Sequence, residues 1–157
     1  MSSKSRARKH NATAMSPLLR ALTQSRSAHA PVTAAMLLQC YAALDAFRRG
    51  HGSRDLHMTL SRHLLASQEL ARLGLGEELV DDIQGGHAAM VQLDDREQRT
   101  GAWTLGDDEY ARLCAALAIL DEQLSAASLS EIANAQARMI EGLMRSARTR
   151  AIAEAVL

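Results

Sequence analysis

Any chemistry in this chain would fall to six histidines, two cysteines and a series of paired carboxylates. The histidines are His10, His29, His51, His57, His63 and His87. A metal held on a helix needs ligands three or four residues apart, so that they share a face. His57 and His63 are six apart and point to opposite sides. A di-iron bundle needs inward Glu-x-x-His pairs. The nearest pattern is Gln84-Gly85-Gly86-His87, where an amide stands in for the carboxylate. Asp81-Asp82 and Asp94-Asp95 fit a solvated helix surface better than a ligand set. Neither a metal nor an organic cofactor is expected. Nucleophile elbows, phosphate-binding glycine loops, dinucleotide fingerprints and H-E-x-x-H pairs are all missing from the sequence. His51, Ser53 and Asp55 stand close together, but a loop feeding a helix N-cap accounts for them without nucleophilic catalysis. No catalytic residue and no enzymatic activity are expected.

Those residues must be carried by helices. The chain has 157 residues, enough for one domain with a core of its own, and 47% of them are hydrophobic. Alanine supplies much of that share, and alanine is the strongest helix former. Both prolines, Pro17 and Pro31, lie near the N-terminus. The expected fold class is all-α: a single-domain bundle of four or five helices with a C-terminal antiparallel helix hairpin. Residues 1–15 are expected to be a disordered basic tail, 16–147 the helical bundle and 148–157 a frayed end.

The elements follow from periodicity and capping. Ser16-Pro17 opens a short helix over Leu18, Leu19 and Leu22. Pro31 starts the next, with Val32, Met36, Cys40, Leu44 and Phe47 inward and Gly50 at its end. Ser53 caps a helix whose stripe is Leu56, Leu60, Leu64 and Ala71, and Gly74 stops it. A third runs from about Glu77 to Arg99 on Leu79, Ile83, Met90 and Leu93. Gly85-Gly86 interrupts it, most simply as a close helix–helix crossing or a mild kink. Residues 101–105 form a loop, and Thr104 or Asp107 caps the fourth helix. There Tyr110, Leu113, Leu117, Leu120 and Leu124 alternate steps of three and four, a coiled-coil-like seam. Ser128-Leu129-Ser130-Glu131 is a capping box for the fifth, with Leu129, Ile132, Met139, Ile140 and Leu143 inward. From about Ser146 the pattern decays. Cys40 and Cys114 sit among apolar residues and read as buried free thiols in a cytoplasmic protein. The spacing leaves a disulfide between them open. No uninterrupted apolar run spans a bilayer, and no membrane partner is expected.

Charge is unevenly spread although the formal total is zero. Before Asp45 there is no acidic residue. Lys4, Arg6, Arg8 and Lys9 of the tail could neutralise phosphates, so they are candidate nucleic-acid contacts. A helix-turn-helix running from Ser53 past Gly76 would lead into the groove with Glu77, Glu78, Asp81 and Asp82, which phosphates repel. Those four carboxylates instead suit the positive end of a helix. They could also meet a basic groove on another protein. Trp103, the only tryptophan, is both a core filler and a common interface anchor.

Four sets of residues carry a family resemblance. They are Leu-Asp-Ala-Phe-Arg-Arg-Gly-His-Gly at 44–52, Leu-Ala-Arg-Leu-Gly-Leu-Gly at 70–76, Arg-Thr-Gly-Ala-Trp-Thr-Leu at 99–105, and Leu-Asp-Glu-Gln-Leu at 120–124 followed by Ser-Leu-Ser-Glu at 128–131. Through them the stretch from Leu44 to Glu131 resembles an uncharacterised family of small helical proteins encoded on proteobacterial phages, plasmids and integrated elements. The resemblance implies habitat and helical fold, and no activity or site residue comes with it. The expectation is a non-enzymatic accessory protein of a mobile element that binds another protein, or itself. Two alternatives remain: a nucleic-acid-associated regulator using the basic tail, and an inhibitor presenting the acidic helix surface.

Overall fold

The computed structural model describes residues 26–155, with side-chain surroundings for residues 30–150. The basic tail and the short helix expected over Leu18, Leu19 and Leu22 lie outside the described residues. Within them the protein is an all-α bundle of five helices: α1 (Arg26–Arg48), α2 (Arg54–Arg72), α3 (Val80–Thr100), α4 (Asp107–Ala126) and α5 (Leu129–Ala155). A short 3-10 turn, Glu77–Leu79, leads into α3.

Helix α2 is the central element and packs against the other four. Its stripe of Leu60, Leu64, Leu70 and Ala71 is fully buried, as the 3–4 periodicity requires. Ser53 has extended dihedrals and its hydroxyl accepts from the Leu56 amide at 3.3 Å, which starts the helix. The α4 seam is buried at Leu113, Leu117, Leu120 and Leu124. Leu44 and Phe47 of α1, Met90 and Leu93 of α3, and Ile132 and Ala135 of α5 complete one contiguous core. A smaller cluster of Ala71, Ile83 and Ile119 closes the bundle where α2 ends and α3 begins.

The tightest pairing is between α3 and α4. Gly86 is buried there, and a Cβ built on it would stand 2.7 Å from the Ala116 Cβ. The crossing expected at Gly85-Gly86 is therefore real and belongs to Gly86. Gly85 has room, its nearest neighbour being the Arg112 side chain at 3.8 Å.

Several expectations need correction. Helix α1 begins at Arg26 and holds Pro31 inside it. Pro31 removes one amide donor, and Ala30 and Pro31 are exposed, so the loss falls at a wet end of the helix. Val32, expected inward, is exposed. The segment Ala30–Arg48 reaches a mean hydropathy of 1.3 over 19 residues, long and apolar enough by length and composition to cross a bilayer. Alanine spread through the segment raises that mean although large apolar residues never run unbroken. Its buried side, at Met36, Cys40, Ala43, Leu44 and Phe47, belongs to the core.

The α4 N-cap is Gly106, rather than Thr104 or Asp107. Gly106 has no side chain to offer, and Glu109 reaches back to accept from the Gly106 amide at 2.7 Å. Ser128 and Glu131 do form the expected reciprocal box: the Glu131 carboxylate accepts from the Ser128 amide, and the Ser128 hydroxyl accepts from the Glu131 amide. That box turns the chain sharply, so α5 leaves α4 and lies on α2. The antiparallel hairpin is thus formed by α3 and α4, not by the last two helices. The apolar pattern fades where expected, since residues 141–150 are all exposed, but the backbone stays helical to Ala155.

Candidate functional site

Trp103 sits half-buried in the loop between α3 and α4. Its ring lies 6.1 Å from that of Phe47 and 5.2 Å from that of His57, tilted by 44° in each case. The His57 Nε2 is 3.0 Å from the Met90 carbonyl, which ties α2 to α3 beneath the indole. Gly52 lies under this cluster. A Cβ there would come within 2.2 Å of the Phe47 ring and 2.6 Å of the Trp103 Cβ, so only glycine fits. These contacts account for Gly52 and for Trp103 as packing. They bring no nucleophile to the tryptophan.

The expected acidic residues Glu77, Glu78, Asp81 and Asp82 are all exposed, in the 3-10 turn and the first turn of α3. No ion pair among the described residues includes them. Glu78 borders an open cleft of about 250 Å³ with Gly76, Leu79, Ile119, Glu122 and Gln123. The Gln123 amide is already committed, donating to the carbonyls of Ser67 at 3.1 Å and Leu75 at 2.8 Å. Its oxygen accepts from the Ser67 hydroxyl at 2.6 Å. The cleft thus has carboxylates at its rim and a fully occupied polar group at its floor. Lys4, Arg6, Arg8 and Lys9 lie outside the described residues.

The histidines among the described residues do not converge. His63 Nε2 is 3.1 Å from the Gln39 side chain, far from the His57 partner. His87 bonds a backbone group of Leu64, and its Nε2 is buried without a hydrogen-bond partner. Burial lowers the pKa of both His63 and His87 from the ordinary 6.5. Among the described residues no three His, Cys, Asp or Glu side chains gather as a metal site. Cys40 and Cys114 are free thiols, the first buried and the second half-buried. Burial pushes the Cys40 thiol up to about 12, so it is protonated and unreactive at neutral pH.

One polar constellation escaped the sequence reading. Arg96 of α3 grips Glu109 of α4 with two hydrogen bonds of 2.5 Å and also donates to the Thr104 carbonyl at 2.5 Å. Glu109 is only 8% exposed and Arg96 29%. The guanidinium holds the Glu109 carboxyl below its usual range, against the opposing effect of burial, and the Gly106 amide adds to that. The group latches the loop that carries Trp103. Its only sequence signal was a glutamate three residues after Gly106, a local cap whose distant arginine could not be read. Both carboxylate oxygens accept from structural partners, Oε2 from Arg96 and Gly106 and Oε1 from Arg96, so the latch is not arranged for proton transfer.

The remaining feature is apolar and exposed. Met58 on α2 and Ile140, Leu143 and Met144 on α5 are 44%, 51%, 45% and 70% exposed. Two adjoining hollows of about 270 and 330 Å³ lie along them and share Arg62 and Leu143. Ile140 and Leu143 were expected in the core. They turn outward because α5 packs mainly on α2, whose Arg62 and Leu65 line the hollows at Leu143, and the other helices touch it little. No family model, curated protein or solved structure matches the chain.

Proposed function

We propose that this protein is a non-enzymatic binding module that works by docking another protein onto the apolar face shared by α2 and α5. The observation that carries the reading is the cluster of Met58, Ile140, Leu143 and Met144 at the surface, beside hollows that a side chain could enter. Methionine, unbranched and polarizable, adapts to varied partners. A contiguous apolar patch on a small domain costs solubility, which a binding role would offset. The resemblance of residues 44–131 to a family carried on phages, plasmids and integrated elements supports an accessory role in a mobile genetic element. Two free thiols fit a cytoplasmic setting.

The test compares proteins that co-purify with the full-length chain and with the double variant Ile140→Glu, Met144→Glu. Both positions are exposed, so the fold should survive, as circular dichroism would verify. Loss of a stoichiometric partner in the variant is the expected result. The same partner bound by both forms would remove this face from the mechanism. A turnover abolished by one side-chain substitution would overturn the non-enzymatic reading.

A second reading rests on Glu77, Glu78, Asp81 and Asp82. Four exposed carboxylates within six residues, outside every ion pair among the described residues, could occupy a basic groove on another protein. Reversing all four to lysine should then abolish binding at unchanged helicity. Binding that survives reversal would exclude that surface.

A further inference from the structure

Helix α5 spans 27 residues, roughly 40 Å at the usual rise per residue. Residues 141–150 are exposed on every side. A helical segment of that length is marginal in water without a packing partner. Its exposed residues are not randomly arranged. Ile140, Met144 and Ala147 follow one another by steps of four and three, the spacing of a two-stranded coiled-coil seam. The first two are among the most exposed large apolar side chains of the described residues. Glu141 and Arg148 flank the seam on the same side, one heptad apart. That spacing is too long for an ion pair within one helix. Neither residue joins an ion pair among the described residues.

A like-signed flank would repel a second copy, and a uniformly neutral one would set no register. Here the signs alternate along one flank. When two such helices run antiparallel, like flanks face each other and opposite ends meet. Glu141 of one copy then faces Arg148 of the other, and the pair is repeated by the two-fold axis. Met144 lies beside Ala147 across the seam, a large group against a small one. Building on the binding role proposed above, we infer that the occupant of this face is a second copy of the same chain, joined through an antiparallel α5–α5 seam. Paired this way, Glu141 and Arg148 meet twice about a two-fold axis, as an isologous dimer requires. Met58 and Arg62 of α2 border the seam on its other side.

The experiment is light scattering on the full-length chain after size exclusion, followed by sedimentation titration of four forms: wild type, Glu141→Arg, Arg148→Glu and the double exchange. A mass of about twice the 17.0 kDa of one chain is expected for the wild type. Each single reversal places like charges together twice and should weaken the dimer about tenfold. The double exchange restores the pairs and should bring the affinity back to near the wild-type value. Rescue distinguishes this register from a merely apolar contact, and both substituted positions are exposed. A monomeric wild type overturns the proposal, as does a dimer indifferent to the reversals or one the double exchange fails to rescue. The co-purification test is independent: a monomer that still loses its partner through Ile140→Glu and Met144→Glu leaves the binding reading standing and removes only the dimer.

Discussion

The α3–α4 hairpin and the outer half of α5 use much the same residues, leucine, methionine, alanine, arginine and glutamate, to opposite ends. In the hairpin Gly86 lets two backbones approach, Leu113 and Leu117 fill the space, and Arg96 holds Glu109 in two short hydrogen bonds. In α5 the same residue types repeat at the same period, yet Leu143 and Met144 meet water and Arg148 has no ion-pair partner among the described residues. The contrast teaches that a heptad pattern states which face will be buried only if something lies opposite it. For α4 that is α3, delivered by a short loop. For the end of α5 the described residues provide nothing beyond the edge of α2.

The largest test of this contrast is truncation of one leucine in each region. Leu117→Ala removes a fully buried side chain and should destabilise the fold by about 3 kcal/mol. Leu143→Ala should change the stability of the monomer by less than about 0.5 kcal/mol. Denaturant melts at low protein concentration would compare the two. Equal losses would mean that the outer half of α5 is as much a part of the core as α4.

Next come the two glycines. Gly86→Ala forces a methyl group against Ala116 and should cost about 2 kcal/mol. Gly85→Ala meets open space and should stabilise by about 0.5 kcal/mol, the ordinary helix-propensity gain. Thermal melts of the two neighbours should therefore move in opposite directions. If they move together, the close approach is not specific to Gly86.

The latch is third. Arg96→Ala leaves Glu109 and the Thr104 carbonyl without their partner and should cost about 1.5 kcal/mol. Arg72→Ala on α2, whose partner Glu69 is one turn away and whose own side chain is largely exposed, should cost only a few tenths of a kcal/mol. The fluorescence of Trp103, the single tryptophan, should report loosening of its loop in the first variant only.

The smallest effect is set by pH. His63 and His87 have folded pKa values lowered from 6.5 by burial, so the unfolded chain takes up protons first as the pH falls. Their stabilising contribution is complete above about 6.5 and is lost progressively below it. Glu109 behaves alike at a lower range, its contribution declining as the pH falls below the ordinary 4.5. Melting temperatures between pH 7.5 and 5.5 should drop, and replacing both histidines by glutamine should flatten that drop. An unchanged slope would place the titrating groups elsewhere.

Much of this was legible in the residues. The Ser53 cap, the Ser128–Glu131 box and the α4 seam are all written within one or two helical turns, where sequence distance and spatial distance agree. Gly86 stood out because an interior glycine needs a reason. The latch was not legible, since Arg96 and Glu109 are thirteen residues apart across a loop whose path no local rule dictates. Ser67 and Gln123, fifty-six residues apart, carry no local signal of burial; it is the packing of α2 on α4 that brings them together and buries both. Ile140 and Leu143 were misplaced for the complementary reason. Their spacing matched a core stripe, and only the route of α5 decided that the core had ended.

What the sequence determined alone is that this chain is helical and where the Ser53 and Ser128 caps begin their helices, because capping and periodicity act over a few residues. Which helices became partners was decided only by the tertiary structure. Packing α5 on α2 instead of α4 turned one apolar stripe into a core and left its continuation at the surface, because burial depends on neighbours that arrive from distant parts of the chain.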